Sequence, residues 1–518
     1  MSKRPTHGLG TRTVRGMFWS YGSYVGTRGA SLLATAILTR IISPKDFGLV
    51  ALAGTFMTFL DMLQGLGVGN ALVISKDDEV HAQAETAFAV CTSVGVLLAL
   101  ITAGLGPPAA ALFHQPRLIE LMPVLGLTFF LYGLGSTHYS LAMKSMDFRS
   151  RTSAEMADAL ARGIVGVTLA LAGAGVWSLV AGYIAGTIAM DVVLWRLVRW
   201  RPRLRPQRQH LRALLSFGGA STAVGIMAAF LGEFDNAVIG KVLGVTQLGY
   251  YSIATKLPYL FIISLAVVAG DVLFPAFATL ERKDMGRAFL TGLEYTAMIA
   301  LPLTATLVVL AEPITLGVFG RHWRPAIPAM QVLCVWAVVS PISMVCGNAF
   351  KSRGRANIVL LIAIPQAIAI IVGSLLIARQ GIVAMSWLQA GIAIGAQIIT
   401  IAVAQRMFEL RVRSVLAAVR APALASAALA AALIGVHQEI TSPWPAIGIG
   451  GAVGLVVYAG VLQLLAPDLL RRLRSWAFPS TPPAGHAGGR VESAIATGDP
   501  DSMIRPPTIA PRESTGPA

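Results

Sequence analysis

The chain is poor in charge, poorer still in acid, and almost without cysteine. Only 13% of its 518 residues are charged, and 25 acids face 41 Lys and Arg. With 55% hydrophobic residues and a mean hydropathy of +0.69, it is far too apolar for a soluble fold of this size. Cys91, Cys334 and Cys346 all lie in apolar stretches, form no Cys-x-x-Cys pair and have no histidine at ligand spacing. That argues against a disulfide framework and against zinc, and no metal or other cofactor is expected. Paired carboxylates and nucleophile–base motifs are missing from the short segments on the outer side, the longest of them about 312–324. An integral-membrane glycosyltransferase, polymerase or ligase would need them, so the chain is not read as an enzyme.

What the chain does have is apolar stretches of spanning length. They run at about 15–39, 46–69, 84–106, 119–142, 152–173, 176–198, 213–240, 246–270, 287–311, 325–349, 356–378, 381–404, 418–437 and 445–466. The expectation is an all-α polytopic membrane protein of fourteen helices. With the N-terminus on the cytoplasmic side, the inner segments hold 31 of the 41 basic residues and the outer ones 7; Arg28, Lys256 and Arg162 lie inside spans. This asymmetry orients a multi-pass protein of the bacterial inner membrane with both termini cytoplasmic. A net charge of +16 would suggest nucleic acid in a soluble protein. Here the cations sit in short cytoplasmic loops, where they orient the chain and meet anionic lipid headgroups, so no nucleic-acid partner is expected. Lys3, Arg4, Arg12 and Arg15 precede an apolar run too long for a signal peptide, which is kept as the first helix.

Two segments repeat. Arg40-Ile41-Ile42-Ser43-Pro44-Lys45-Asp46-Phe47-Gly48 returns 201 residues later as Lys241-Val242-Leu243-Gly244-Val245-Thr246-Gln247-Leu248-Gly249, and Ala142-Met143-Lys144-Ser145 is echoed by Ala349-Phe350-Lys351-Ser352. Six spans separate equivalents, an even number, so the repeats are parallel and related by a pseudo-two-fold axis along the membrane normal. The domain reading is a six-helix bundle at 1–198, a basic cytoplasmic linker at 199–212, a second bundle at 213–404, an added helix pair at 405–476, and a Pro- and Gly-rich disordered cytoplasmic tail at 477–518. Small-x-x-x-small pairs at Gly22/Gly26, Gly182/Gly186, Gly391/Gly395 and Gly450/Gly454 point to close helix packing.

Charge at membrane depth costs about 2.5–3.5 kcal/mol per residue on insertion scales, so each such group needs a partner or a wet cavity. On the first span Tyr21, Tyr24, Arg28, Ser31, Thr35 and Thr39 recur at steps of three and four, forming a polar stripe that suggests a water-lined lumen. Lys256, with Ser252 and Tyr259, is its counterpart in the second half. Arg28, Lys256, Tyr24 and Arg162 are the candidate substrate contacts, although Asp158 lies four residues before Arg162 in the favourable order for a local ion pair. Asp61, Asp191, Glu233, Asp235 and Glu294 are the acids within spans. Asp61, Glu233 and Asp235 are the candidates for proton or sodium coupling; Glu233 and Asp235, two residues apart, should face different ways.

Leu38-Thr39-Arg40-Ile41-Ile42-Ser43-Pro44-Lys45-Asp46-Phe47-Gly48 resembles the LARLLSPEDFG signature of bacterial polysaccharide exporters, the Wzx-like oligosaccharide flippases. Met146-Asp147-Phe148-Arg149, Gly173 to Val180, Phe217-Gly218, Asp235 to Gly244 and Leu248-Gly249-Tyr250-Tyr251 extend the likeness over most of 16–355. The resemblance implies the two-bundle fold of the multidrug/oligosaccharidyl-lipid/polysaccharide superfamily. It also implies movement of polyprenyl-diphosphate-linked oligosaccharide by alternating access through a cationic lumen, in the service of exopolysaccharide, capsule or lipopolysaccharide synthesis. Expected partners are that lipid-linked substrate, a proton or sodium gradient, membrane lipids, a polysaccharide polymerase and glycosyltransferases. The alternative is a multidrug/cation antiporter of the same superfamily, for which an acidic, aromatic pocket and twelve spans would be usual.

Overall fold

A computed structural model describes residues 26–65, 72, 80–203, 207, 230, 232–264, 273, 277–281, 283–440 and 442–467. Tyr21, Tyr24, most of the linker beyond Arg203, most of the seventh span and the tail at 477–518 lie outside them. The described residues form helices and no strand. In chain order they are α1 (26–41), α2 (Pro44–Gly65), α3 (Val80–Phe113), α4 (Leu118–Lys144), α5 (Phe148–Leu171), α6 (Val176–Leu197), α7 (232–242) and α8 (Val245–Ala254), then α9 (Met285–Val309), α10 (Ile327–Ser352), α11 (Ala356–Ile377), α12 (Ile382–Met407), α13 (Val412–Glu439) and α14 (Pro443–Leu465). Residues Met1–Leu462 form one compact unit; Gln463–Ala518 form a second, described only at 463–467.

Among the described residues ten helical stretches are long and apolar enough to cross a membrane. The expected spans at 15–39, 213–240 and 246–270 fall partly outside the described residues. The fifth forms as α5, whose first fifteen residues carry Arg149, Arg151, Glu155, Asp158 and Arg162, which lower its hydropathy. Large apolar side chains exposed along the helices mark a lipid-facing surface: on α11, Leu361, Ile368 and Leu376 are 69%, 57% and 74% exposed.

Helix ends follow from local chemistry. Ser43 caps α2, its Oγ accepting from the Asp46 amide at 3.2 Å, with Pro44 in the first position. The Asp147 carboxylate accepts from the Ser150 amide at 3.1 Å to start α5. Inside the bundle, where lipid offers no hydrophobic drive between helices, small residues allow close backbone approach. Gly182 and Gly186 lie against Arg162 and Asp158 of α5, and Gly450 and Gly454 against Leu433 of α13, as the spacing suggested. A Cβ on Gly391 or Gly395 would meet nothing within 4 Å among the described residues.

Two boundaries differ from the hydropathy reading. The third span does not stop at Pro107 and Pro108; α3 runs through both to Phe113, helped by apolar and small residues on either side. The expected outer loop at 312–324 is helical throughout most of its length, as Ala311–Ile314, a π turn at Thr315–Phe319 and a 3₁₀ turn at Arg321–Ala326. Trp323 within it is fully buried. A tryptophan with one polar atom can leave the surface when that atom finds an acceptor, and Nε1 donates to the Thr39 carbonyl at 2.9 Å.

Candidate transport site

The two copies of the repeated motif meet each other. A Cβ on Gly48 would overlap the Val245 carbonyl and one on Gly249 would overlap the Pro44 carbonyl, so α2 and α8 are in backbone contact at their first turns. This contact brings the first half of α2 beside α7, and a polar network fills the junction. Thr55 Oγ1 of α2 donates to Glu233 Oε2 of α7 at 3.1 Å, and Asn236 Nδ2 donates to the same oxygen at 2.9 Å. Asp235, only 5% exposed, turns the other way. Its carboxylate accepts from Tyr251 Oη at 2.6 Å, Gln389 Nε2 at 3.0 Å and the Asn236 amide at 2.9 Å. Among the described residues, three donors and no counter-ion surround this buried carboxylate. Asn236 serves both acids, but their other partners differ: Glu233 is tied to α2 of the first half, Asp235 to α8 and α12.

A second group of acids lies among α2, α4 and α6. Asp61 is exposed on α2, and Tyr132 of α4 is within electrostatic reach of both Asp61 and Asp191. The Asp191 carboxylate rests directly on Gly135, where a Cβ would collide with it, and its Oδ2 is buried with no hydrogen-bond partner among the described residues. Sequence reading placed Asp191 in a span without giving it a role. The signal was Gly135 on α4, which no periodicity connects to Asp191.

The cations within the spans differ in exposure and setting. Arg28 and Ser31 are exposed on α1, with Thr35 half-buried and Thr39 buried towards the far end of the same stripe. Lys256, just beyond α8, is exposed beside Tyr259, itself 53% exposed, where a π turn runs from Tyr259 to Ile263. Arg162 is engaged: its guanidinium donates to both Asp158 oxygens at 2.9 and 3.1 Å and stacks 4.0 Å from the Tyr183 ring. Tyr24 lies outside the described residues. No cluster of three or more metal-ligating side chains occurs among the described residues.

A cavity of about 280 Å³ opens among α10, α11 and α12. Its wall includes Trp336, Ser340, Ser343, Gln366 and Thr400, an aromatic face with hydroxyls and an amide and no charge. Trp336, Ser340 and Ser343 recur at helical spacing on α10, Gln366 comes from α11 and Thr400 from α12. Neutral donors and acceptors around one indole suit hydroxyl-rich ligands better than ions.

Comparison with known proteins places this geometry. Residues 37–328 match the family described as "Polysaccharide biosynthesis protein". The chain is 29% identical over 498 residues to the succinoglycan biosynthesis transport protein ExoT of Rhizobium meliloti, covering 93% of this chain and 99% of that one. It is 24% identical over 358 residues to the lipopolysaccharide biosynthesis protein WzxC of Escherichia coli, covering 68% of this chain and 72% of that protein. Its fold is similar to that of the lipid II flippase MurJ in an inward closed conformation, with a TM-score of 0.72 and 13% identity over 88% of this chain and all of that one. An inward-facing multidrug transporter of the MATE family aligns with a TM-score of 0.59 and 17% identity, over 74% of this chain and 96% of that one. With a family match over more than half its length and an all-helical, multi-pass transporter fold, the chain belongs to the polysaccharide biosynthesis protein family of membrane transporters.

Proposed function

We propose that this protein is a flippase that carries polyprenyl-diphosphate-linked oligosaccharide across the bacterial inner membrane for surface polysaccharide assembly. The observation that carries the reading is Arg28, an exposed arginine within the apolar α1 of a chain in this family. A guanidinium is too costly to leave against hydrocarbon, so its surface is wet, and its forked donors match a diphosphate. Lys256 supplies a second exposed cation from the other half. Arg162, spent on Asp158 and Tyr183, holds α5 to α6 and is a weaker candidate for the substrate.

The transport cycle follows from the two halves, 1–198 and 213–404, rocking about the junction that Thr55 and Glu233 bridge. Asp61, Glu233 and Asp235 are the groups through which a proton or sodium gradient drives it. The neutral cavity beside Trp336 and Gln366 receives sugar hydroxyls while Arg28 and Lys256 hold the anionic headgroup. Both termini lie in the cytoplasm, where glycosyltransferases finish the substrate, and a polymerase takes the product on the other side. No step of this cycle makes or breaks a covalent bond, so the protein acts as a transporter without catalysis. The test is purified protein in liposomes containing lipid-linked oligosaccharide: protein-dependent exposure of the glycan on the opposite leaflet is expected. Gradient-driven export of cationic drugs with no movement of the glycolipid would favour the antiporter reading instead.

A further inference from the structure

Only seven basic residues lie in the outer segments of the fourteen-span topology, and two of them occupy the same position in the two copies of the repeat: Arg40 and Lys241. Both cross to the opposite half of the chain. The Arg40 guanidinium donates to the Gly317 carbonyl and, at 3.4 Å, to the Val318 carbonyl. Lys241 Nζ donates to the Leu112 carbonyl. The acceptors are themselves equivalent. Leu112-Phe113 ends α3 and is followed by His114 at φ 55°; Val318-Phe319 ends the π turn beyond α9 and is followed by Gly320 at φ 100°. In each half, then, the repeat's cation caps the last carbonyls of the opposite half's third helix, the end where unpaired carbonyls carry partial negative charge.

We propose that this pair is the latch of the outer gate: Arg40 and Lys241 hold the two halves closed at the outer face, and both bonds must break for the substrate to leave. The surrounding contacts have the same character. Gly48 and Gly249 let the two motif backbones touch, and the buried Trp323 ring sits edge-on to Phe47 of the first motif at 5.3 Å and to Tyr250, just after the second, at 5.9 Å. Neutral carbonyls as acceptors make the latch reversible. Unlike an ion pair, it leaves no buried acid uncompensated when it opens. The repeat is therefore a working part, which explains why a basic residue stands at its head in both copies on a face otherwise short of them.

The inference rests on the alternating-access reading, and the experiment separates the two. Spin labels at Pro116→Cys and His322→Cys, both exposed, in a background free of the three native cysteines report the separation of the halves at the outer face. The parent should show a single short distance. Arg40→Ala with Lys241→Ala should add a longer-distance population, each single variant a smaller one, and Arg40→Lys with Lys241→Arg should restore the short distance. Bridging Leu112→Cys to Lys241→Cys with a short reducible linker should lower glycolipid flipping at least tenfold, with recovery on reduction. An unchanged distance distribution in the folded double-alanine variant, or undiminished flipping by the bridged protein, overturns the latch. Absence of flipping by the unbridged parent, with the distance shift intact, counts against the substrate and leaves the gate standing.

Discussion

Thr55 and Glu233 are hydrogen-bonded across the two halves of the chain at 3.1 Å, an uncharged hydroxyl of α2 donating to a half-buried carboxylate of α7. The hydroxyl also lies 3.2 Å from the Ala51 carbonyl one turn back, so it can turn to its own helix when the halves part. Among the described residues the other side-chain donor to Glu233 is Asn236, so the carboxylate loses one of two donors when α2 moves away.

The first prediction follows from that asymmetry. Glu233→Gln keeps the side-chain shape and a donor–acceptor pair but abolishes the charge, so the protein should insert and fold normally while flipping loses its dependence on an imposed ion gradient. Hydrogen bonds to a charged group contribute about 1.5–3 kcal/mol, which corresponds to roughly a tenfold to hundredfold shift between access states. Thr55→Val should produce a smaller shift in the same direction. Gradient-dependent transport at the parental level in both variants would leave Glu233 as a packing residue.

The second concerns Asp191 and Gly135. Because the Asp191 carboxylate lies on the bare Cα of Gly135, Gly135→Ala should force it away and lower the thermal midpoint in detergent by several degrees, an effect of about 1–3 kcal/mol typical of overpacking. Asp191→Ala should rescue Gly135→Ala by removing the colliding group. Equal destabilisation in the single and double variants would mean that α4 and α6 separate for another reason.

These sites show what the sequence carries and what it does not. Apolar runs and the one-sided spread of Lys and Arg determine where the helices cross, because both are local properties of the chain. The Asp158–Arg162 pair was legible for the same reason, lying within one helix at a spacing of four. Gln389, Tyr251 and Asp235 come from three helices, and nothing in their local sequence ties them together. The boundary errors have the same origin. Pro107 and Pro108 look like a break although α3 continues through both, and 312–324 looks like a loop until Trp323 finds its partners in the first half.

The third prediction is topological. Reporters at Lys144, Gln207 and Lys351 should read cytoplasmic, and those at Gln115 and His322 external. Gln115 lies in the short turn between α3 and α4, so a fusion there spares both helices. Opposite signals at two or more sites would reverse the orientation and move the Arg40–Lys241 latch to the cytoplasmic face.

The fourth separates the two kinds of intramembrane arginine. Arg162→Ala forfeits a helix-surface ion pair worth about 0.3–0.5 kcal/mol and an aromatic stack worth about 0.5–1 kcal/mol, and it strands Asp158. Its effect should be on stability, with residual flipping proportional to the folded protein. Arg28→Ala should act on transport itself, with flipping per folded protein reduced at least a hundredfold, leaving lipid-linked intermediate on the cytoplasmic face. Arg28→Lys should recover part of the rate, because a point charge still attracts the diphosphate although the two-pronged donor set is lost. Raising salt should weaken glycolipid binding to the parent more than to Arg28→Ala, since only the parent offers that cation to a wet, partly screened site. If well-folded Arg28→Ala protein flips at the parental rate in liposomes, Arg28 serves the architecture of α1, and the headgroup must be held by Lys256 or by residues outside those described.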